Sequence, residues 1–462
     1  MRLFLFARND KRSLTLLTLL TLLTSQLKAQ VAQLPQAAEN AISMIDLSVT
    51  AQPAYYALSE ISTSPRRADY SFFAQRASVN IKIKEDPWIF NFRMEHISLA
   101  GVKELPPPLA NTSTRYPKPG PGVFVSQAYL AHEGTLGSHP LFFKAGTIPI
   151  GRNDSLLLDD NGIGVFGFQI KISGLGPLSL EYMNGNTETS GFGSDRIIFN
   201  WLAVGFERTG RWTLAMLTEA DKTPRVLEGG PVSGKATRNS FNLHYDQEKA
   251  NFAFHSEFVL SQGRYFSGLT DPVQKVKSRT VAYVFEGLWR GRLPKMDFLG
   301  PLEWNLLYAL GSGDKKNTEV DEAYFAPLAT RFDGARRTGW GKALGATTFD
   351  ALASTGTWNG LPAGLSGVTT FGFGVKSKPY YLLNVPLRLG VSRHELRATE
   401  GSGGISKELG GEWSFDISTN FAERFKATVG LYRFTPGKAY EITGETPRPI
   451  NGVQAIVTLA FE

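Results

Sequence analysis

From Ile45 to Phe461 the chain repeats one unit: an extended segment of 10–15 residues, then a break. Side chains on a strand point alternately to its two faces. In Thr280–Arg292, Val281, Tyr283, Phe285 and Trp289 share a face, and Glu286, Arg290 and Arg292 share the other. In Phe252–Leu260, Phe252, Phe254, Phe258 and Leu260 oppose His255 and Glu257. In the closing stretch Ile450–Glu462, Val453, Ala455, Val457, Leu459 and Phe461 form one apolar face. The segments fall near 45–58, 70–84, 88–101, 122–133, 140–150, 162–173, 177–186, 196–208, 211–219, 237–247, 250–263, 279–292, 300–312, 367–378, 384–398, 408–420, 423–435 and 450–461, eighteen in all. Each is long enough to cross a bilayer as a tilted strand, which takes roughly 9–11 residues. Ordinary globular strands average about five or six.

Alternation alone also suits a soluble sandwich or propeller, and the connections separate the cases. Tight turns at Glu85–Pro87, Ser173–Gly176, Thr209–Gly210, Gln247–Lys249 and Phe421–Ala422 alternate with longer loops at 102–121, 151–161, 187–195, 220–236, 263–278, 313–366 and 436–449. Transmembrane barrels have short periplasmic turns and long outer loops. Closure also removes the free strand edges that hydrocarbon does not tolerate. The expected fold is therefore all-β: a transmembrane antiparallel up-and-down barrel over 45–462, both termini periplasmic. Tyr70, Trp88, Tyr129, Trp212, Tyr308, Tyr380 and Tyr381 near segment ends fit interfacial girdles.

Ahead of the repeat, Arg2, Arg8, Lys11 and Arg12 precede a Leu/Thr run, Ser13–Leu23, and Ala29 offers a small residue for cleavage. Residues 1–29 are thus expected to be a signal peptide, followed by a short periplasmic segment at 30–44. Cleavage would lower the net charge from +7 to +3, so basicity argues poorly for nucleic acid. No Cys is present, which excludes disulfides and thiolate metal sites.

With the apolar faces toward lipid, the pore-lining set is Arg76, Lys82, Arg93, Glu95, Lys144, Lys171, Glu181, Arg238, Glu257, Glu286, Arg290, Arg292, Glu303, Lys376, Arg388, Glu412, Asp416 and Lys426. Basic members outnumber acidic ones eleven to seven. A mildly basic lumen favours anions, because rings of one sign select the permeant charge. Mutual pairing of these charges is the competing expectation. The loop at 313–366 has two open placements, inward as a constriction or outward as a surface loop. Phe461, at the end of the final apolar face, is the expected assembly signal for the barrel-assembly machinery.

Other motifs carry little. Gly162–Gly167 matches GxGxxG but precedes a strand instead of a helix, and the near P-loop at Gly229–Ala236 lacks its hydroxyl residue. Asp154, Asp159 and Asp160 offer hard oxygen donors for Ca²⁺, without EF-hand spacing. No other metal site, cofactor or catalytic cluster is expected. His96, His132, His139, His244, His255 and His394 show no metal-binding spacing, and no GxSxG occurs.

The stretch Ser126–Ile172 resembles alginate-export-type outer-membrane barrels. It has an Ala-Tyr-Leu strand, a tight turn, a strand ending in Gly146, Gly151 and Arg152, and a loop with Leu and Asp. The strand end Leu310-Gly-Ser-Gly-Asp314 looks like that family too. The resemblance implies an eighteen-stranded barrel passing anionic polysaccharide. The expectation is an outer-membrane channel, porin-like or exporting, in a Gram-negative-type bacterium, surrounded by outer-membrane lipid and open to small or polymeric anionic solutes. A barrel plugged as a non-conducting scaffold is the alternative, and an outer-membrane enzyme a more distant one.

Overall fold

The computed structural model of the chain describes residues 45–59, 70–100, 122–151, 156–158, 164–187, 197–221, 225–227, 230–232, 236–267, 274–292, 300–315, 319–324, 328, 332–333, 336–337, 340–342, 365–382, 384–401, 404–421, 424–441 and 448–461. The expected signal peptide and the segment 30–44 lie outside them.

Eighteen long strands form one closed sheet: β1 (Ile45–Ser59), β2 (Tyr70–Glu85), β3 (Trp88–Ala100), β4 (Gly122–Leu136), β5 (His139–Pro149), β6 (Gly164–Leu175), β7 (Leu178–Asn186), β8 (Ile197–Glu207), β9 (Arg211–Asp221), β10 (Ala236–Lys249), β11 (Phe252–Ser267), β12 (Gln274–Gly291), β13 (Leu302–Gly311), β14 (Leu365–Lys376), β15 (Val385–Gly401), β16 (Glu408–Phe421), β17 (Phe425–Pro436) and β18 (Ile450–Phe461). Each pairs antiparallel with its sequence neighbour. The ring closes where β1 meets β18, with Val49 opposite Phe461 and Ala57 opposite Val453. Two short pieces join the same sheet: Val320–Asp321, parallel to β12, and Tyr380–Leu382, hairpinned onto β15.

The outer surface explains the closure. Leu202, Leu214, Met216, Phe285, Phe371, Phe415 and Leu431 all project from the barrel and stay exposed. Water would penalise so large an apolar band, and hydrocarbon accepts it. Trp88, Trp212, Trp289 and Trp304 stand near the ends of their strands on the short-turn side. Trp212 packs on Tyr245 with ring centroids 4.2 Å apart, as an interfacial girdle requires. Tyr129 leaves the expected girdle: it faces inward, with Lys144 Nζ 5.6 Å from its ring centroid.

Some boundaries differ from the periodicity. The expected loop 263–278 is mostly strand, since Arg264 pairs with Lys277 and Ser267 with Gln274. The apolar signal stops there because the hairpin has left the hydrophobic belt, while backbone pairing needs no apolar side chain. Loop length also sorts less cleanly than expected. Residues 402–407 are brief on the long-loop side, and 377–384 are wide on the turn side. The outer face is not wholly apolar: in mid-β15, Arg393 and Glu395 stand opposite Phe373 and Phe371 of β14. Arg393 Nε donates to Glu395 Oε1 at 2.7 Å, and the same guanidinium lies 5.3 Å from the Trp413 ring centroid.

Candidate functional site: the barrel lumen

The inner wall is polar, and its charges meet in pairs. Register places Ser78 of β2 opposite Glu95 of β3. Arg76 reaches Glu95 at 2.7 Å and Arg93 reaches it at 3.2 Å, so one buried carboxylate serves two guanidiniums. Arg238 meets Glu219 at 3.3 Å, and Arg290 meets Glu303 at 3.2 Å. Lys144 Nζ donates to the Pro149 carbonyl at 3.4 Å. Glu181 accepts from Gln169 and stands opposite Lys171 in register. Opposite charges satisfied this way lower the cost of removing each from water.

Two outer loops fold into the barrel and close over this wall. Leu156, Leu157 and Leu158, from the loop after β5, are almost wholly buried. They pack with Ile148, Phe199, Trp201, Val284, Tyr324 and Trp340. Glu257, 1% exposed, anchors the first loop: Leu156 N–H donates to its Oε2 at 2.6 Å, and Asn242 donates to its other oxygen. The longer loop after β13 starts at the Leu310–Asp314 motif. There Ser312 Oγ accepts from Val281 N–H at 2.9 Å and donates to the Glu322 carbonyl at 2.6 Å. Gly313 is required at this crossing, because a Cβ would strike the Ser366 carbonyl oxygen. Tyr324 OH then donates to the Leu156 carbonyl at 2.9 Å, tying the two loops together. Farther on, Lys342 N–H donates to Glu412 Oε1 at 2.6 Å, and Lys342 Nζ meets Asp416. The described part of 313–366 that follows Ser312 therefore reaches the lumen. The loop after β5, read from sequence as an outer loop, does so as well.

Beneath these loops a cavity of about 1120 Å³ occupies the turn-side half of the lumen. Its lining includes Lys171, Glu181, Glu207, Arg211, Glu286 and Asn305, with Trp201 and Trp340 in the wall. Around the same end, Lys82, Lys171, Arg290, Lys376, Arg388 and Lys426 are near the strand ends on the inward side of the register. Lys171, Lys376, Arg388 and Lys426 are exposed, as is Arg292 just past β12. Charge pairing thus runs from the deeper wall to the turn-side end, where exposed Lys376, Arg388 and Lys426 stand at a mouth that also carries exposed Glu207 and Glu248.

Of the sequence-predicted residues, Arg76, Arg93 and Glu95 meet one another, Glu257 and Glu412 hold loops, and Glu286 faces His255 across the β11–β12 pairing. The Ca²⁺ candidates Asp154, Asp159 and Asp160 lie outside the described residues. Phe461 is exposed at the closure seam, on the outer face. Sequence reasoning missed one grouping: His244, Asp246 and His255 converge on the inner face of the β10–β11 hairpin. The signal was present as His-x-Asp followed across a two-residue turn by His.

Fold and surface together define a transmembrane β-barrel. No family model matches the chain, and no curated protein matches it either. Among solved structures, it is similar to OccK11 (OpdR) of Pseudomonas aeruginosa, with 10% identity, 90% of this chain and 96% of that one covered, and a TM-score of 0.50. It is also similar to a BenF-like porin from Pseudomonas fluorescens Pf-5, at 10% identity, 90% and 98% coverage and a TM-score of 0.48. OprB of Pseudomonas putida aligns at 6% identity, with 92% and 96% coverage and a TM-score of 0.49. At such identities the first of these supports the fold alone.

Proposed function

We propose that the chain is an outer-membrane, porin-type channel for small solutes, with loops setting its narrowest section. The observation that carries this reading is the inward anchoring of two loops on Glu257 and Glu412 above an open vestibule lined by polar and charged side chains. A structural plug needs no such vestibule, while a selective pore needs both a wide mouth and a defined constriction. Exposed Lys171, Lys376, Arg388 and Lys426 at the mouth favour anions there. The paired deeper wall keeps that preference mild. The finer reading, passage of an anionic polysaccharide, rests on the resemblance at Ser126–Ile172. The inward loops favour solutes smaller than a polymer strand. Liposome swelling with solutes graded in size and charge tests the proposal. Swelling should be faster for a small anionic sugar acid than for its neutral analogue, and absent for a long polymer. Equal exclusion of all solutes would favour the plugged scaffold.

A further inference from the structure

We propose that His244, Asp246 and His255 form a binding site for a borderline transition-metal dication of the Zn²⁺ type, on the wall of the turn-side vestibule. The three residues each offer one ligand atom, and those atoms all lie within 4.8 Å of one another. The fold brings them together from two strands. His244 and Asp246 are two apart on β10 and so share its inner face, and Asp246 is the direct cross-strand partner of His255 on β11.

The pre-formed geometry is close to a ligand set. Asp246 Oδ2 lies 2.6 Å from His244 Nε2, and Oδ1 lies 2.9 Å from His255 Nδ1. The two imidazoles meet edge-on, with ring centroids 4.8 Å apart. Tetrahedral Zn²⁺ has bonds of about 2.0–2.2 Å to His nitrogen and carboxylate oxygen, so its donors stand roughly 3.3 Å from one another. To reach that spacing the two imidazole–carboxylate contacts open by a few tenths of an ångström while the ring nitrogens, within 4.8 Å of one another, turn toward a common centre. Two His and one carboxylate leave a fourth position, and all three residues line the cavity, where water or a solute group has room. Buried His255 Nε2 has no hydrogen-bond partner, and Glu286 stands directly opposite His255 in register. Metal-bound imidazoles normally give their second N–H to a carboxylate or carbonyl, so Glu286 is placed to orient that ring. Among the described residues Arg211, 3.2 Å from Asp246, competes for that carboxylate, and its side chain is largely exposed. Imidazole donors favour Zn²⁺, Ni²⁺ or Cu²⁺ over Mg²⁺ and Ca²⁺.

Isothermal titration of the folded, tag-free barrel in detergent with Zn²⁺ tests the site independently of conduction. One Zn²⁺ per chain is expected, with no heat from Mg²⁺ at equal concentration. His255→Gln and Asp246→Asn should each weaken binding at least tenfold, and His244→Ala/His255→Ala should abolish it. His139→Ala, at an exposed turn, should leave it unchanged. Heat-modified gel mobility confirms that each variant is folded. Absence of stoichiometric Zn²⁺ binding to the native barrel overturns the proposal, as does binding unchanged in the folded double variant.

Discussion

Glu257 shows how much one carboxylate can organise. It is buried and accepts from the Leu156 backbone and from Asn242, so its removal strands two donors inside the wall. Hydrogen bonds to a charged group contribute about 1.5–3 kcal/mol each. Glu257→Ala should therefore lower the urea midpoint of the detergent-folded barrel and free the loop after β5, and a protease-accessibility assay would register the second effect. An unchanged midpoint with unchanged cleavage would remove Glu257 as an anchor. Gly146 makes a different demand. Its φ is +125°, and a Cβ would overlap the Ala128 carbonyl oxygen, beside the inward Tyr129. Gly146→Ala should destabilise by more than the ~1 kcal/mol that the same change can gain where the backbone suits alanine, seen as reduced yield of heat-modifiable barrel. A yield equal to the native one would contradict this.

At the level of strands, the outward faces carry the membrane assignment. Phe285 lies in mid-β12 on the exposed face. Phe285→Arg should cost about 2–4 kcal/mol, the penalty for a cation at the bilayer midplane, measured by unfolding in lipid vesicles. Ser414→Arg, pointing to the lumen, should cost no such lipid penalty, although it crowds Glu412. The seam offers a second contrast. Phe461 is paired with Val49 at the last registered position of β18. Phe461→Ala should slow assembly into vesicles more than deletion of Glu462 does, and equal rates would count against a role for this side chain. These strands were legible because a two-residue period must persist wherever lipid meets one face, as in Phe252–Leu260 and Leu302–Leu310. The inward loops were harder. Three successive leucines, Leu156–Leu158, are out of place in a solvated loop, and that was the available sign, but neither periodicity nor turn chemistry says which wall will receive them. The His244–Asp246–His255 grouping depended on the turn. The sequence places it at Gln247–Lys249, whereas the structure pairs Lys249 with Phe252. That displacement moves Asp246 away from His255, and a cross-strand cluster cannot be read until the register is fixed.

For the whole molecule, eighteen strands set a lumen too wide for wall side chains alone to fill, since barrels of about eight already pack their interior. The loops after β5 and β13 occupy part of that space, and the vestibule is what they leave. On the proposed reading, conduction depends on how those loops are held, more than on the wall charges, many of which are paired. Glu412 is the natural lever, because it accepts from the Lys342 backbone and from Ser414 while Asp416 holds the Lys342 side chain. The most direct measurement is single-channel recording of the purified barrel in planar bilayers, native beside Glu412→Gln. The account predicts discrete steps for the native chain, a mildly anion-favouring reversal potential in a salt gradient, and larger or noisier steps for the variant. Silent bilayers with correctly folded protein, or steps identical in the two chains, would contradict it.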